Sequence, residues 1–266
     1  MKTIKKVLRP FYRQFLAYKN QGNDVTCNIC GRSFKRLRPI VGRHGDGSTF
    51  VEKDSVGRCW LCDSYPRMRL MWRWLEEEYK IQEKKGIKIL HVAPERSISS
   101  EIRRIQGIEY NCVDKHCEGY SYPDYVEDGD VCRLDFSDNE FDLVICNHVL
   151  EHVEDDQTAI SEIFRVLKNN GTAILMVPVD YELTRTDEPK PDEILTPEEC
   201  ERRFGQFDHV RQYGTDYFSR LEASGFTVRR IKYDSDISLR YGFIPEEEII
   251  VCIKPEKHGQ VNVENC

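Results

Sequence analysis

Four cysteines in the first quarter of the chain have the spacing of metal ligands. They form two CxxC pairs, Cys27 with Cys30 and Cys59 with Cys62. Each pair lets two thiolates converge on one ion from a tight turn, and Gly31 supplies the positive φ that such turns favour. The alternatives are four unrelated buried thiols or a redox dithiol, but neither pair opens a helix of a βαβ unit. The pattern predicts a structural Zn²⁺ ion bound by all four cysteines.

A second set of polar side chains follows a series of apolar runs. In chain order the runs end in His91-Val92-Ala93-Pro94-Glu95, Asp114, Asp135-Phe136 and Asn147-His148. Asp114 lies about 20 positions after the first loop, where a carboxylate can accept hydrogen bonds from two ribose hydroxyls. Asp135 can accept an amine proton from adenine, with the Phe136 ring beside it. Acidic residues are common at strand ends, so none of these four strand ends is informative alone. Their occurrence together, in this order along the chain, indicates a nucleoside site.

These ends can meet only if the runs before them are neighbouring strands. The predicted strands are 87–93, 109–114, 131–134, 141–147, 171–178, 226–233 and 247–253, and the predicted helices are 97–105, 155–169 and 214–224. Continuous apolar runs such as 143–146 are typical of central strands buried on both faces. Alternating strands and helices predict an α/β fold with a Rossmann-like, doubly wound seven-stranded sheet, whose ligands bind at the carboxyl ends of the strands. No helix is apparent between the last two strands, so an antiparallel strand pair is expected at one edge.

The charge distribution divides the chain. Residues 1–43 contain eleven lysines and arginines against one acid, Asp24, which gives +10, whereas residues 44–266 carry −17. Residues 1–20 alternate large apolar and cationic residues with the spacing of an amphipathic helix, apart from the break expected at Pro10. Such an arm could dock on the body of the protein, lie on an anionic membrane surface or contact RNA.

The predicted organisation has five parts. A basic amphipathic arm (1–23) precedes a zinc-ribbon-like module (24–65), a connecting helix (66–86), the α/β domain (87–255) and a tail (256–266). The sequence has no apolar run of membrane-spanning length and no signal peptide. Eleven cysteines form a poor disulfide framework and suit a reducing compartment. A cytoplasmic protein is expected, with the arm as a candidate contact at the inner membrane face.

One long stretch has a family resemblance. Residues 141–178, which begin FDLVICNHVLEHV, resemble class I S-adenosylmethionine-dependent methyltransferases of the small-molecule type, and the similarity extends over residues 87–254. The chain is also similar to a bacterial subgroup with an N-terminal CxxC…CxxC ribbon, an HVAPE loop and the segment FGQxDHVRxYG, here residues 204–214.

The resemblance implies a fold, a cofactor and a set of site residues. It implies S-adenosylmethionine and a structural zinc ion as cofactors. The implied cofactor-binding residues are His91, Val92, Ala93, Glu95, Asp114, Asp135, Phe136, Asn147 and His148. The broad family has a glycine-rich first loop, from which this sequence departs. Ala93 is small enough for close approach, and Glu95 with backbone carbonyls can face the cofactor's ammonium.

Three residues are candidates for catalysis. His209 is expected near the acceptor, as a base or an orienting group, with Arg211 beside it; the alternative is a structural role in a lid. His152 is a second candidate base, and packing at a helix start is its alternative. The acidic, proline-rich segment 180–205 is either a lid over the acceptor or a solvated excursion.

Three classes of function remain open. The favoured one is a methyltransferase acting on a small molecule or saccharide, since an acidic body disfavours a large polyanion in the cleft. The second is an RNA methyltransferase that binds RNA phosphates with its zinc-ribbon-like module and its basic arm. The two CxxC turns, here called knuckles, are separated by a stretch that contains Arg32, Lys35, Arg36, Arg38 and Arg43. The third is a non-catalytic binding module. The oligomeric state is not predicted.

Overall fold

A computed structural model describes residues 2–44, 48–51 and 56–256, with only the backbone described for residues 2–9 and for Arg43. The predicted tail therefore lies outside the described residues beyond Glu256. No helix in these ranges is long and apolar enough to cross a membrane.

The N-terminal part is one helix and two small hairpins. Helix α1 (Lys2–Lys19) runs through Pro10 without ending there. Strands β1 (Gln21–Cys27) and β2 (Arg32–Phe34) pair antiparallel around the first CxxC pair. Strands β3 (Val41–Arg43) and β4 (Thr49–Val51) form a second antiparallel pair between the two knuckles. Helix α2 (Pro66–Glu77) then leads to the α/β domain.

The α/β domain alternates strands and helices as its apolar pattern predicts. Its elements are β5 (Ile87–Val92), α3 (Arg96–Ile102), β6 (Ile108–Asp114), β7 (Glu127–Asp128), β8 (Phe141–Cys146), α4 (Asp156–Val166), β9 (Leu167–Ile174), α5 (Pro197–Phe204), α6 (Tyr217–Ala223), β10 (Thr227–Ile231), α7 (Ser235–Tyr241) and β11 (Ile249–Ile253). Three differences from the sequence prediction matter. The third strand of the sheet is β7 and not the stretch 131–134 that was predicted as a strand. The helices α5 and α7 were not predicted.

The seven strands form one Rossmann-like mixed sheet in the order β10-β11-β9-β8-β5-β6-β7. Strands β5 to β9 pair in parallel. The order reverses at β5, with β6 on one side and β8 on the other, and this is where such sheets bind ligands. Both faces of the central strands are covered, as the full burial of Ile89, Leu90, Val144 and Ile145 requires.

The last two strands pair antiparallel at one edge, as predicted. The antiparallel strand is β11, which pairs with both β10 and β9, so it lies one position in from the edge and β10 is the edge strand.

The cysteine module and the sheet share one hydrophobic core. Val25 and Phe34 of the β1–β2 hairpin belong to the same buried cluster as Trp72 of α2 and Ile89 and Ile249 of the sheet. Burial of this shared apolar surface fixes the module against the face of the sheet that α2 covers.

Candidate active site and cysteine centre

A cavity of about 730 Å³ opens at the carboxyl ends of β5, β6 and β8. It is lined by Val92, Ala93, Asp114, Lys115, Cys117, Tyr120, Tyr122, Gly129, Asp130, Val131, Cys132, His148, Val149, His152, Val153, Glu154, Asp155 and Asp208. The structure thus brings Val92, Ala93, Asp114, His148 and His152 of the predicted site to one cavity. Its volume is in the range of small-molecule and cofactor sites.

The glycine-free first loop turns at Ala93. This residue has a φ of 48°, in the left-handed region that glycine usually occupies, and its N–H donates to the Val113 carbonyl at 2.8 Å. This left-handed conformation costs a residue with a Cβ atom about 1–2 kcal/mol. Alanine has the smallest side chain of all such residues. The loop therefore keeps a glycine-like backbone and presents only a methyl group near the cavity.

His91 and Glu95 lie behind this loop and do not line the cavity. The His91 ring is fully buried, with Nδ1 2.7 Å from the Tyr110 hydroxyl and Nε2 2.8 Å from Glu95 Oε2. Burial opposes ionisation of Glu95, but the hydrogen bond and charge of His91 outweigh it and lower the pKa of this carboxyl. The hydrogen bond between His91 and Glu95 therefore supports the loop from inside the protein. The Glu95 carboxylate is bound to His91 and does not face the cavity.

Two carboxylates face the cavity from neighbouring strand ends. Asp114 ends β6, and burial raises its pKa despite the N–H of Lys115. Asp130 follows β7 and accepts from the Cys132 N–H at 2.9 Å and from Lys115 Nζ at 3.1 Å. The Cys132 hydrogen bond is the main reason that the pKa of Asp130 is lowered. Asp130 was not among the residues predicted from the sequence.

The predicted adenine-binding residues, Asp135 and Phe136, line a second cavity of about 730 Å³. Gly129, Asp130 and Lys115 border both cavities, so the two lie next to each other. The structure does not bring Asp135 and Phe136 to the wall that Asp114 and Ala93 share.

The end of β8 carries a turn with a buried carboxylate. His148 has a φ of 52°, and its Nδ1 lies 3.1 Å from Oε1 of Glu151, which is 1% exposed. Burial disfavours the charge of Glu151, but His148 offsets this and lowers the pKa. Asn147 is buried and its Nδ2 lies 2.8 Å from Met71 Sδ, so it faces α2 and does not line the cavity.

The predicted catalytic residues occupy different depths. His152 lines the cavity, and its ring contacts the buried His209 ring at a centroid distance of 4.8 Å. Burial lowers the pKa of His209. Arg211 is buried and donates to the carbonyls of Leu150 at 2.9 Å and Glu154 at 2.8 Å. Arg211 therefore holds the 150–154 turn in place and positions His152 without reaching the cavity.

The segment 180–205 is tied to the body of the domain. Asp187 pairs with Arg203 of α5, and Glu188 accepts from both Arg211 and Arg220 at 2.8 Å. Thr186 donates through its hydroxyl to Asp216 at 2.6 Å. These bonds hold the segment over the 150–154 turn.

The four cysteine sulfurs converge. All lie within 4.8 Å of one another, and the Cys27–Cys62 and Cys30–Cys59 pairs are each 3.6 Å apart. Zn–S bonds of about 2.3 Å place the sulfurs of a tetrahedral site about 3.8 Å apart. The donor set and its spacing therefore fit zinc.

Two knuckles of equivalent geometry hold these sulfurs. Gly31 follows the first pair with a φ of 69°, and Asp63 follows the second with a φ of 67°. The Asp63 carboxylate pairs with Arg13 and Arg58, each at 2.5 Å, and also with Arg38. Because Arg13 belongs to α1, Asp63 connects the arm to the second knuckle.

A buried arginine lies beside the cysteine centre. Arg69 of α2 is 0% exposed, and within the described residues it donates only to backbone carbonyls, those of Gly57, Ser64, Tyr241 and Gly242. Four thiolates around Zn²⁺ carry a net charge of −2, which would compensate the guanidinium without a carboxylate partner. Burial lowers the pKa of Arg69, and the charges of nearby cysteine thiolates oppose that shift.

Comparison with known proteins shows a similarity within the α/β part of the chain. Residues 101–175 match the family model described as "Methyltransferase domain". Over this stretch the chain is similar to methyltransferase domains. The family match covers the region from α3 to the end of β9.

Two curated relatives and two solved structures illustrate the similarity. An uncharacterised protein of Methanocaldococcus jannaschii is 51% identical over 47 residues, or 18% of this chain and 20% of that protein. The arsenite methyltransferase of Aquipseudomonas alcaligenes is 25% identical over 141 residues, 51% of this chain and 38% of that one. The chain thus spans well under half the length of either relative.

The solved structures are more remote in sequence. The YcgJ protein of Bacillus subtilis is 17% identical with a TM-score of 0.43, covering 70% of this chain and 99% of that one. Phosphoethanolamine N-methyltransferase 2 of Haemonchus contortus, in complex with S-adenosyl-L-methionine, is 13% identical with a TM-score of 0.44, covering 70% and 53%.

Proposed function

We propose that this protein transfers a methyl group from S-adenosylmethionine to an oxygen or nitrogen of a small molecule or saccharide. The observation that carries the proposal is the convergence of Ala93, Asp114 and Asp130 on one cavity at the point where the strand order reverses. When bound, S-adenosylmethionine supplies an electrophilic methyl group on a sulfonium sulfur.

The residues around the cavity fit this cofactor. Asp114 accepts a backbone N–H of Lys115, and among the described residues no side chain donates to it, so its oxygens remain available for two ribose hydroxyls. Asp130 and Val131 lie where an adenine would follow the ribose, and we assign them the role first predicted for Asp135 and Phe136. The bent backbone at Ala93 admits the methionine part of the cofactor.

The charge of the cavity favours an acceptor that is not a polyanion. Its wall carries Asp114, Asp130, Glu154, Asp155 and Asp208, against the single lysine Lys115 among the charged side chains that line it. Nucleic-acid sites have the opposite balance. This observation supports a small-molecule or saccharide acceptor over RNA.

His152 and Asp208 line the acceptor side in this proposal. His209 lies behind them and contacts the His152 ring, so it acts through His152. Holding the acceptor in line with the methyl group can contribute up to about 7–11 kcal/mol, and proton removal from an acceptor about 10²–10⁴-fold in rate.

The cofactor assignment is tested by calorimetry with S-adenosylhomocysteine. Asp114→Ala should weaken binding by roughly 30- to 150-fold, because a buried two-hydroxyl acceptor contributes on the order of 2–3 kcal/mol. Asp135→Ala is the matched control, since its carboxylate lines the neighbouring cavity, and it should bind as the unaltered protein does. Equal affinities for all three proteins would contradict the assignment, as would a larger loss at Asp135.

The acceptor can be sought by comparing metabolites and glycans of a strain lacking the gene with those of its parent. A compound that lacks one methylene increment in the deletion strain is the expected result. If RNA were the acceptor, affinity for RNA would fall steeply with salt, whereas sugar binding would change little.

We also propose that the four cysteines hold a structural zinc ion, because their sulfurs have the spacing of a tetrahedral site.

We further propose that α1 contacts an anionic membrane surface on the cytoplasmic side. Phe11, Phe15 and Tyr18 of α1 are 67%, 53% and 77% exposed, and their spacing aligns them along the helix. Arg13 and Ala17 attach the helix to the body, which leaves the aromatic residues facing outward.

The membrane contact is tested by co-sedimentation with vesicles of anionic lipid. The full chain should bind and a chain lacking residues 1–20 should not, because each basic residue near the surface adds about 1 kcal/mol. Vesicles of zwitterionic lipid are the control. Equal and negligible sedimentation of both chains would leave docking on the body or contact with RNA as the role of α1.

A further inference from the structure

Three ligand-type side chains meet at the wall of the methyltransferase cavity. Glu151, His152 and His209 each offer one ligand atom, and these atoms all lie within 4.8 Å of one another. His152 lines the cavity, while Glu151 and His209 are buried behind it. The cluster is separate from the cysteine centre, and the cofactor-binding role proposed for Asp114 does not use it.

Both histidine rings are held in the same tautomer. Nδ1 of His152 lies 3.0 Å from the Asp208 carbonyl, and Nδ1 of His209 lies 3.0 Å from the Phe204 carbonyl. A carbonyl oxygen can only accept, so both Nδ1 atoms donate and each neutral ring keeps its lone pair on Nε2. This is the outer arrangement that orients metal-binding histidines.

The carboxylate of the cluster lacks the hydrogen bonds that its burial demands. Glu151 is 1% exposed, and within the described part of the chain neither of its oxygens has a hydrogen-bond partner. Oε1 lies 3.1 Å from His148 Nδ1, which is an ion-pair contact. A buried carboxylate whose remaining lone pairs are not taken up by hydrogen bonds can serve as a ligand for a cation.

We propose that Glu151, His152 and His209 bind a divalent transition-metal ion beside the acceptor. Two histidines and one carboxylate suit such ions and leave coordination positions open. Metal–ligand bonds of about 2.0–2.2 Å draw the three atoms to separations of about 3.0–3.4 Å. The His152 side chain, 33% exposed, has room to make that adjustment.

The role of this ion rests on the proposed methyl transfer, although its binding does not. An ion next to His152 can hold a hydroxyl group of the acceptor in the cavity and lower its pKa. The hydroxyl proton passes to bulk water, the oxygen bonds to the methyl carbon, and the electrons of the broken carbon–sulfur bond stay on sulfur. The acceptor class is therefore a hydroxyl-bearing compound.

The site is tested by titrating protein that carries one equivalent of zinc per chain, enough for the cysteine centre alone, with Co²⁺ and recording both heat and visible absorption. One Co²⁺ per chain should bind with ligand-field bands but without the thiolate charge-transfer absorption of a cysteine site. His152→Gln and Glu151→Gln should each weaken Co²⁺ binding by about 10- to 100-fold or more. Mutation of a residue that only hydrogen-bonds to a metal ligand already causes a loss of this size. His116→Gln, an exposed histidine of the neighbouring cavity, is the control and should bind Co²⁺ normally.

Two results would overturn the proposal: no saturable Co²⁺ binding by the unaltered protein, or unchanged binding by His152→Gln. Circular dichroism checks folding, and His152→Gln remains informative if Glu151→Gln does not fold. S-adenosylhomocysteine affinity is measured on the same samples. Cofactor binding without Co²⁺ binding would reject the metal site alone, and the reverse would reject the methyltransferase proposal alone.

Discussion

Replacing Arg69 by methionine keeps most of the buried side-chain length and removes the charge and all the donors. Four hydrogen bonds are lost: to Ser64 at 2.7 Å, Tyr241 at 2.9 Å, Gly57 at 3.0 Å and Gly242 at 2.5 Å. Their carbonyls flank the second knuckle and the end of α7, so the substitution removes the hydrogen bonds by which Arg69 joins the cysteine module to the α/β domain.

The magnitude follows from these four bonds. A hydrogen bond to a charged group contributes about 1.5–3 kcal/mol, so the gross loss is roughly 6–12 kcal/mol. Removing a fully buried guanidinium also removes its desolvation penalty, which recovers part of this loss. The net decrease in the free energy of unfolding should be about 3–5 kcal/mol, as measured for broken buried charge networks.

Urea unfolding followed by circular dichroism measures this decrease as a shift of the midpoint at constant slope. Arg104→Met is the control, because Arg104 is 72% exposed and pairs only with Glu101 among the ion pairs of the described chain. That substitution should change stability by less than about 1 kcal/mol. A loss for Arg69→Met no larger than the control's would refute the view that this side chain joins the two parts.

Two further predictions concern the cysteine centre and a buried acid. Cys27→Ser combined with Cys59→Ser should abolish the zinc that survives dialysis against a weak chelator, and elemental analysis of the reduced protein measures it; an unchanged content would reject the site. Burial raises the pKa of Glu247, against the charges of His148 and two arginines, so ionisation destabilises the fold as pH rises above the carboxyl's ordinary range. Glu247→Gln should therefore be more stable by roughly 1–3 kcal/mol at pH 7, with the gain vanishing near pH 4; a gain that persisted in acid would contradict this cause.

The sequence predicted the parts of the fold that depend on local pattern. The apolar runs of β5, β8 and β9 placed the central strands and hence the loops at Ala93, Asp114 and His148 on one side of the sheet. The helices α5 and α7 were missed although their signals are present. Thr196 and Glu199 form a reciprocal cap, and Asp234 caps α7 by accepting from the Ile237 N–H at 2.8 Å. Their short, polar faces lack the apolar periodicity on which the prediction relied.

The site was harder to predict where partners are distant in the chain. The third strand is only two residues long, and the apolar residues Val131, Cys132 and Leu134 drew the prediction to 131–134. Asp63 binds Arg13 and Arg38, which lie 50 and 25 positions away, and no local pattern indicates such a pairing. His209 reaches His152 because its own segment folds back onto the 150–154 turn, where the Val210 N–H donates to the Glu151 carbonyl at 2.9 Å.

The ties that hold segment 180–205 in place bear on how ligands enter and leave. Opening that side would break the Glu188 bonds to Arg211 and Arg220 together, so it belongs to the high-energy end of local unfolding. The stretch 115–122 includes residues that line the cavity. Apart from the bonds of Lys115 to Asp130 and of the His116 N–H to Asp128, it bonds largely to itself: Cys117 donates its N–H to the Tyr122 hydroxyl, and Tyr122 stacks on His116. Exchange of ligands with this cavity should therefore proceed through displacement of residues 115–122, so amide hydrogen exchange under native conditions should be faster there than in 180–205.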